Sequence, residues 1–465
     1  TPLDRFFAVL AYAVHPPLYY CALKAWRQVS PSIPWARAFS LFCSLAALFL
    51  SWHMLKRLLE SRAALLALLL LSLSPLSIHY AQELRMYALQ AVWAAAMMLT
   101  AVEWLQRPSM SRLSLIILFG VLGCYTHYFA GVFVVGFLCI LPWVRMKGER
   151  SFGRAWVRAS GAALLSCLLY LPWLRIGFSH LLMNSQGGLY ESFSGPMTFA
   201  DLRGQFIEAM LGLVPSFPLD SWIFPPERLG LARLGLSNAF AAGMLALSIA
   251  GGYALWKTPW KRLFLVAFLI LPLLLAIAFQ LLGGRFYARF YLPILPVFFA
   301  SVAAGVFALP RRWERWLVGI VLVSILASSA VSLIRYDIRD VSRDAALYLA
   351  EHAQPDATIL HASPHSFWNL KAYDNSFDHR MLAGPQVPAL IQMVYGPAAI
   401  ATAHDVDKLE DVWVVYGEWR PGPPQLRSRL EPLRFAEWHV ADPPVLITRF
   451  IKKMEIVHYR KSPAQ

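Results

Sequence analysis

The sequence predicts a polytopic α-helical membrane protein with about ten transmembrane helices, followed by a small α/β domain outside the bilayer. Three observations predict it. Of 465 residues, 58% are hydrophobic and only 15% are charged, against about 25% charged in soluble domains. Uncharged stretches of span length recur along the first 335 residues. The composition then turns abruptly towards charge. A mean hydropathy of +0.51 excludes a soluble enzyme and a disordered chain. The five cysteines all lie in the apolar part with no metal-ligand spacing, and they read as small buried residues rather than a disulfide framework.

A hydrocarbon core about 30 Å thick takes roughly 20 apolar helical residues. Stretches 38–55, 63–82, 86–102, 159–174, 234–256, 263–284, 290–310 and 316–334 each suffice for one crossing. Stretch 113–144 is too long for one pass and short for two, and Tyr125-Thr126-His127-Tyr128 interrupts it. Charge settles the parity. Loops after alternate spans carry Lys56, Arg57 and Arg62; Arg107 and Arg112; Arg145, Lys147, Arg150, Arg154 and Arg158; Lys257, Lys261 and Arg262; and Arg311, Arg312 and Arg315. Such clusters mark the cytoplasmic side. The alternation survives only if 113–144 crosses twice, turning at Thr126-His127. Loops 79–86, 125–128, 177–232 and 282–289 then face outward, as does everything after Arg335. The net charge of +15 is accounted for by this pattern, so nucleic acid is not an expected partner.

The expected membrane domain covers 1–335. Within it, 1–32 reads as helices lying along the outer interface, and 177–232 as an outward loop with one helix near 198–212. The expected outer domain covers 336–465. Its helix-like stretches are 341–352, 387–395 and 424–431, and its strand-like ones are Ala357–His361, Val412–Tyr416 and Val445–Phe450.

Polar residues retained against cost mark function in a membrane protein. Here they collect at the outer edge, from four separate segments: His15; His79, Tyr80, Gln82, Glu83, Arg85 and Tyr87; His127 and Tyr128; Arg285, Tyr287 and Arg289. Each has a plainer reading. Glu83 can cap a helix N-terminus. Arg285 and Arg289, at i and i+4, can snorkel to head groups or hold a phosphate from one helix face. His15, before Pro16-Pro17, can sit on a rigid interfacial elbow, and His127 can be a satisfied structural histidine. There is no P-loop, no GxGxxG and no GxSxG, and no His/Cys/Asp pattern of metal-site spacing.

The order of these motifs resembles a family. His15-Pro-Pro-Leu-Tyr-Tyr, Arg37-Ala-Phe-Ser, Tyr80-Ala-Gln-Glu-Leu-Arg-Met-Tyr87, Thr126-His-Tyr-Phe, Tyr170-Leu-Pro-Trp173 and Arg289-Phe-Tyr-Leu-Pro293 follow one another. The run looks like a bacterial GT-C fold membrane glycosyltransferase, related to the protein O-mannosyltransferase, aminoarabinose transferase and Rgt-type groups. It covers about residues 1–335; the tail resembles the variable periplasmic domain of such proteins. The resemblance implies inverting transfer of a sugar from a polyprenyl-phosphate carrier to an envelope lipid, glycan or protein, at the outer face of the bacterial inner membrane. By matching position, Glu83 is the second acidic residue of catalysis. Arg85, Tyr87, Arg285 and Arg289 would bind substrate, with Arg289 and Arg285 at the leaving phosphate. His15, His127 and Tyr128 would line the cavity. No cofactor is certain, and metal dependence is left open.

The pattern departs at one place. The family's principal acidic motif follows a first span and precedes the His-Pro-Pro segment, so both are expected upstream of Thr1. Asp4 is the only carboxylate before His15 and reads as a helix N-terminal residue. A fragment without that motif is expected to be inactive. The competing readings are an O-antigen ligase or polymerase acting on a diphosphate-linked glycan, a lipid transporter or flippase, and a non-catalytic scaffold. The span centres, free of Lys, Arg and carboxylates, argue against a transport path.

Overall fold

The structure, a computed structural model, describes residues 15–144, 152–185, 206, 226–281, 287–335 and 341–461, the last without 363, 374–375, 383–396, 407, 419–437, 444 and 450–451. The chain divides into two compact units, one of them Ala13–Ser332 and the other holding Leu333–Gln465.

The membrane unit opens with α1 (Leu18–Trp26) and α2 (Ile33–Leu58). Pro17 caps α1, where its missing N–H is harmless, and the Ser32 hydroxyl accepts the Trp35 N–H to start α2. Between them Trp26 and Trp35 stack at 4.6 Å, and each indole N–H donates to the other's carbonyl. Next come α3 (Ser61–Leu73) and α4 (Pro75–Gln82), bent by 52° at Ser74-Pro75. Proline removes a donor at the bend; the Ser74 N–H meets the Leu71 carbonyl at 3.4 Å, and the Ser329 hydroxyl donates to the carbonyl of Leu73. Then follow α5 (Tyr87–Gln106), α6 (Met110–Thr126), α7 (Gly131–Ile140), α8 (Phe152–Ser185) and α9 (Pro226–Trp256). The remaining helices are α10 (Pro259–Leu265), continued through a π turn into α11 (Leu271–Leu281), then α12 (Leu295–Phe307) and α13 (Arg311–Arg335).

Among the described residues six helices are long and apolar enough to cross a membrane, and the bent pair α3–α4 makes a seventh. Three shorter apolar segments, Met110–Thr126, Tyr128–Trp143 and Leu295–Phe307, coincide with the other expected crossings. The break in 113–144 falls at His127. Trp104, Phe133, Phe137, Phe264, Phe268 and Phe299 fill the interior, whereas Val157, Leu168, Tyr253, Trp316 and Val323 stay exposed, as the lipid-facing side of a bundle requires. Glu103 pairs with Arg57 at 2.7 Å and with Arg112 at 3.7 Å, tying α2, α5 and α6 at one end. The loops 83–86 and 127 lie at the opposite ends of the same helices.

Helix α8 continues to Ser185 and α9 begins at Pro226, so the expected loop at 177–232 is shortened from both sides. Its apolar flanks extend the helices beyond the uncharged core of each span. The helix expected at 198–212 lies outside the described residues except for Phe206, as do residues 1–14, Arg285, and the stretches expected to be helical at 387–395 and 424–431.

The second unit holds α14 (Val341–His352), β1 (Thr358–His361), α15 (Pro364–Tyr373), β2 (Asp378–Leu382), β3 (Ile400–Ala401), the single turn α16 (Ala403–Val406), β4 (Asp411–Glu418), β5 (Trp438–Val440), β6 (Val445–Arg449) and β7 (Lys452–Lys461). The sheet runs β3-β2-β1-β4-β7-β5, with β6 also on β7. The pairs among β3, β2, β1 and β4 are parallel, and β7 is antiparallel to its neighbours. The period-two pattern sends Ile359, Trp413, Val415 and Ile456 to one face with Val341, Ala345 and Leu349 of α14. Leu360, Val412, Val414 and Val457 go to the other.

Two buried imidazoles join β1 to β2: His361 Nε2 and His379 Nδ1 are 2.8 Å apart, and His361 Nδ1 is 3.2 Å from the Ser366 hydroxyl. Complete burial, then the neighbouring His379 and Lys371, hold His361 well below its ordinary range. An unfolded histidine takes up a proton near pH 6.5, while folded His361 stays neutral. Stability of this unit is therefore full above that value and declines as pH falls through it, by up to about 1.4 kcal/mol per pH unit. The hydrogen-exchange protection factors of β1 and β2 in the full chain should fall between about pH 6.5 and 5, and His361→Phe should remove that dependence.

Candidate active site

Helix α4 ends at Gln82, and Glu83 is its C-cap in extended conformation. Glu83 thus stands at a helix C-terminus rather than the N-terminus that the spacing suggested. The Pro75 bend starts α4 late and the turn 83–86 is non-helical, so Glu83 and Tyr87 share no helical face. The turn is pinned from α2 by the Ser40 hydroxyl, which donates to the Glu83 carbonyl at 2.7 Å. The Glu83 carboxylate lies 3.3 Å from His79 Nε2 and 3.9 Å from Arg85 Nε. All three side chains are partly exposed.

Tyr87 begins α5 and is buried. Its ring meets Tyr80 edge-on at 4.8 Å and His127 at 5.5 Å. His127 ends α6: its backbone N–H closes on Gly123 at 2.8 Å, and its Nδ1 accepts the Phe129 N–H at 3.1 Å. His15 stacks on His127 with centroids 5.5 Å apart. Arg289 lies in a 3-10 turn, Ala288–Tyr291, not on an α-helical face, and its expected partner Arg285 lies outside the described residues. The Arg289 guanidinium packs 4.2 Å over Tyr287, 5.6 Å over Tyr87 and 5.8 Å over Phe290. Phe290 in turn touches His127 at 5.2 Å.

His15, Tyr87, His127 and Arg289 therefore come together from four separate segments. Burial first, then Arg85 and Arg289, lowers His15 to about 4. Burial, His15 and Arg289 lower His127 to about 3. Both imidazoles are neutral at pH 7, so the positive charge of the cluster belongs to Arg85 and Arg289. His15 Nδ1 and Arg289 Nε are buried without hydrogen-bond partners among the described residues. Buried polar atoms in that state cost free energy unless something arrives to satisfy them. An anion with several acceptor oxygens is the ligand that two guanidiniums and neutral donors suit.

Tyr128 turns away from this group. Its hydroxyl accepts the Trp173 Nε1–H at 3.1 Å, beside the Tyr125–Tyr170 pair. Ser40 is a member that residue chemistry does not reveal, since serine is common in apolar helices; its signal lay in the motif Arg37-Ala-Phe-Ser40. Phe290 and Phe129, stacked at 5.2 Å, are apolar members with no polar signature at all. Among the described residues no group of three His, Cys, Asp or Glu stands close enough to hold a metal ion. Two residues beyond Arg289, Tyr291 borders a cavity of about 500 Å³ lined by Leu245, Ile249, Tyr253, Leu269 and Phe298.

Residues 14–175 match the family described as dolichyl-phosphate-mannose-protein mannosyltransferase. The matched stretch holds His15, Glu83, Arg85, Tyr87 and His127. The fold is similar to that of ArnT from Cupriavidus metallidurans, solved in the apo state and bound to undecaprenyl phosphate. In both comparisons identity is 12%, coverage is 95% of this chain and 87% of the other, and the TM-score is 0.55. The chain has a GT-C type membrane fold similar to that of ArnT. An oligosaccharyltransferase from Archaeoglobus fulgidus, solved with Zn and sulfate, superposes with a TM-score of 0.48 at 13% identity, over 86% of this chain and 59% of that one. No curated protein matches this chain in sequence.

Proposed function

We propose that this protein is a glycosyltransferase that moves a sugar from a polyprenyl-phosphate carrier to an acceptor hydroxyl, with inversion, at the outward end of its helices. The observation that carries the reading is the meeting of Arg289 with neutral His15 and His127 across shared aromatic rings, with Arg85 acting on His15 as well. The bond between the anomeric carbon and the carrier phosphate breaks as the acceptor oxygen attacks from the opposite side. The electron pair leaves with the phosphate, and the two guanidiniums stabilise the charge that develops there. The proton of the acceptor hydroxyl passes to a carboxylate base, and Glu83, held by His79 and Arg85, is the second acidic residue of that step. The apolar cavity beside Tyr291 suits an isoprenoid chain, which carries no group that needs a polar partner. The basic clusters at the opposite helix ends support an inner-membrane protein with this site facing the periplasm.

The test is transfer by the detergent-purified full-length protein given a labelled polyprenyl-phosphate hexose and an envelope-lipid, glycan or protein acceptor. Glu83→Gln is expected to lower turnover by more than about tenfold while leaving the KM for the lipid donor near that of the parent. Unchanged turnover would remove Glu83 from the chemistry.

A further inference from the structure

The site contains a histidine whose tautomer is set by the fold. The Phe129 backbone N–H can only donate, and it points at His127 Nδ1 at 3.1 Å. That nitrogen must offer its lone pair. A neutral imidazole carries one proton, so His127 carries it on Nε2 and presents a donor there. The ring is buried, with 5% of its surface exposed, and is clamped by His15, Tyr87 and Phe290. Tyr87 and Phe290 are also rings over which the Arg289 guanidinium lies. The fixed donor and the guanidinium therefore share two walls.

We propose that His127 donates its Nε2–H to a phosphate oxygen of the carrier, as the neutral member of an anion pocket otherwise built from arginine. The assignment rests on the polyprenyl-phosphate reading and gives it an atom. A neutral donor fits beside Arg289 where a third cation would be repelled. The 3-10 turn Tyr128–Ala130, which His127 caps, holds the ring in place with no further partner needed. Phosphate binding and turn capping thus use different nitrogens of one side chain, and the two can be separated.

Asparagine places an acceptor oxygen where Nδ1 stands and favours capping positions, but it has nothing at Nε2. Glutamine reaches the Nε2 position with an amide N–H and gives up the cap. The probe is undecaprenyl phosphate, bound to the full chain in detergent and read by native mass spectrometry beside thermal unfolding. His127→Asn is expected to unfold at the parental temperature and to bind about tenfold more weakly, the loss of one hydrogen bond to a charged group. His127→Gln is expected to unfold earlier and to keep most of its affinity. An Asn variant that folds and binds like the parent overturns the proposal. Should the Asn variant not fold, the parent labelled with 15N-histidine decides: the His127 Nε2–H resonance must move on adding the lipid, and a fixed resonance overturns the assignment. If the parent itself binds no undecaprenyl phosphate, the carrier reading falls and this one falls with it; if the parent binds and Arg289→Ala does not, only the Asn result bears on His127.

Discussion

Arg289→Ala is expected to reduce sugar transfer by about 10²-fold or more, with thermal stability close to that of the parent. The side chain lies over three aromatic rings, and its Nε has no hydrogen-bond partner among the described residues. Little of the fold depends on its hydrogen bonds, while the developing phosphate charge does. Removing one preorganised donor from such a site typically costs two to three orders of magnitude, about 2.7–4 kcal/mol. Arg289→Lys should recover part of the rate, because an ammonium is a point charge without the bidentate fork. The measurement is steady-state transfer together with a melting curve. Parental turnover in Arg289→Ala would move the phosphate elsewhere.

The second large effect falls on folding. A Cβ on Gly251 would sit 1.8 Å from the Ser301 carbonyl oxygen and 2.3 Å from the Gly305 nitrogen, and one on Gly305 would sit 2.1 Å from the Leu247 carbonyl oxygen. These are backbone atoms of α9 and α12, which cannot rotate aside. Gly251 on α9, facing Ser301 and Gly305 four apart on α12, allows the two axes this close approach. Gly251→Val is expected to cost at least about 3 kcal/mol and to displace the Arg289 turn, which leads into α12. Its neighbour Gly252 has nothing within 4 Å of a built Cβ. Gly252→Ala should therefore be neutral or gain up to about 1 kcal/mol from helix propensity. Melting curves of the two variants in one detergent check the contrast; equal stabilities would contradict the packing.

The helical architecture was legible because burial in lipid demands long uncharged runs, and such runs are visible without any partner. The turn at His127 showed as a polar interruption for the same reason. Site membership was legible where polarity is costly: His15, Tyr87, His127 and Arg289 stand out at an apolar edge. Local geometry was not. Helical spacing placed Glu83 at an N-terminus and Arg289 on a helix face, whereas the Pro75 bend and a 3-10 turn place them otherwise. Tyr128 follows His127 in sequence, yet its ring joins Trp173, because successive residues at a helix break point in different directions. In the second unit Ala357–His361, Val412–Tyr416 and Val445–Phe450 read as strands. Among the described residues four more were hidden, including Lys452–Lys461 with its charged ends and the short, polar Asp378–Leu382. His361 and His379 meet only through the parallel register of β1 on β2, a contact that no sequence spacing encodes.

The most direct measurement is a cryo-EM map of the full chain with undecaprenyl phosphate in a lipid nanodisc. The account predicts phosphate density within about 3 Å of the Arg289 guanidinium, beside His127 and His15, with the isoprenoid chain leading towards Tyr291. Phosphate density at the opposite end of the helices, beside Arg57 and Arg112, would contradict it.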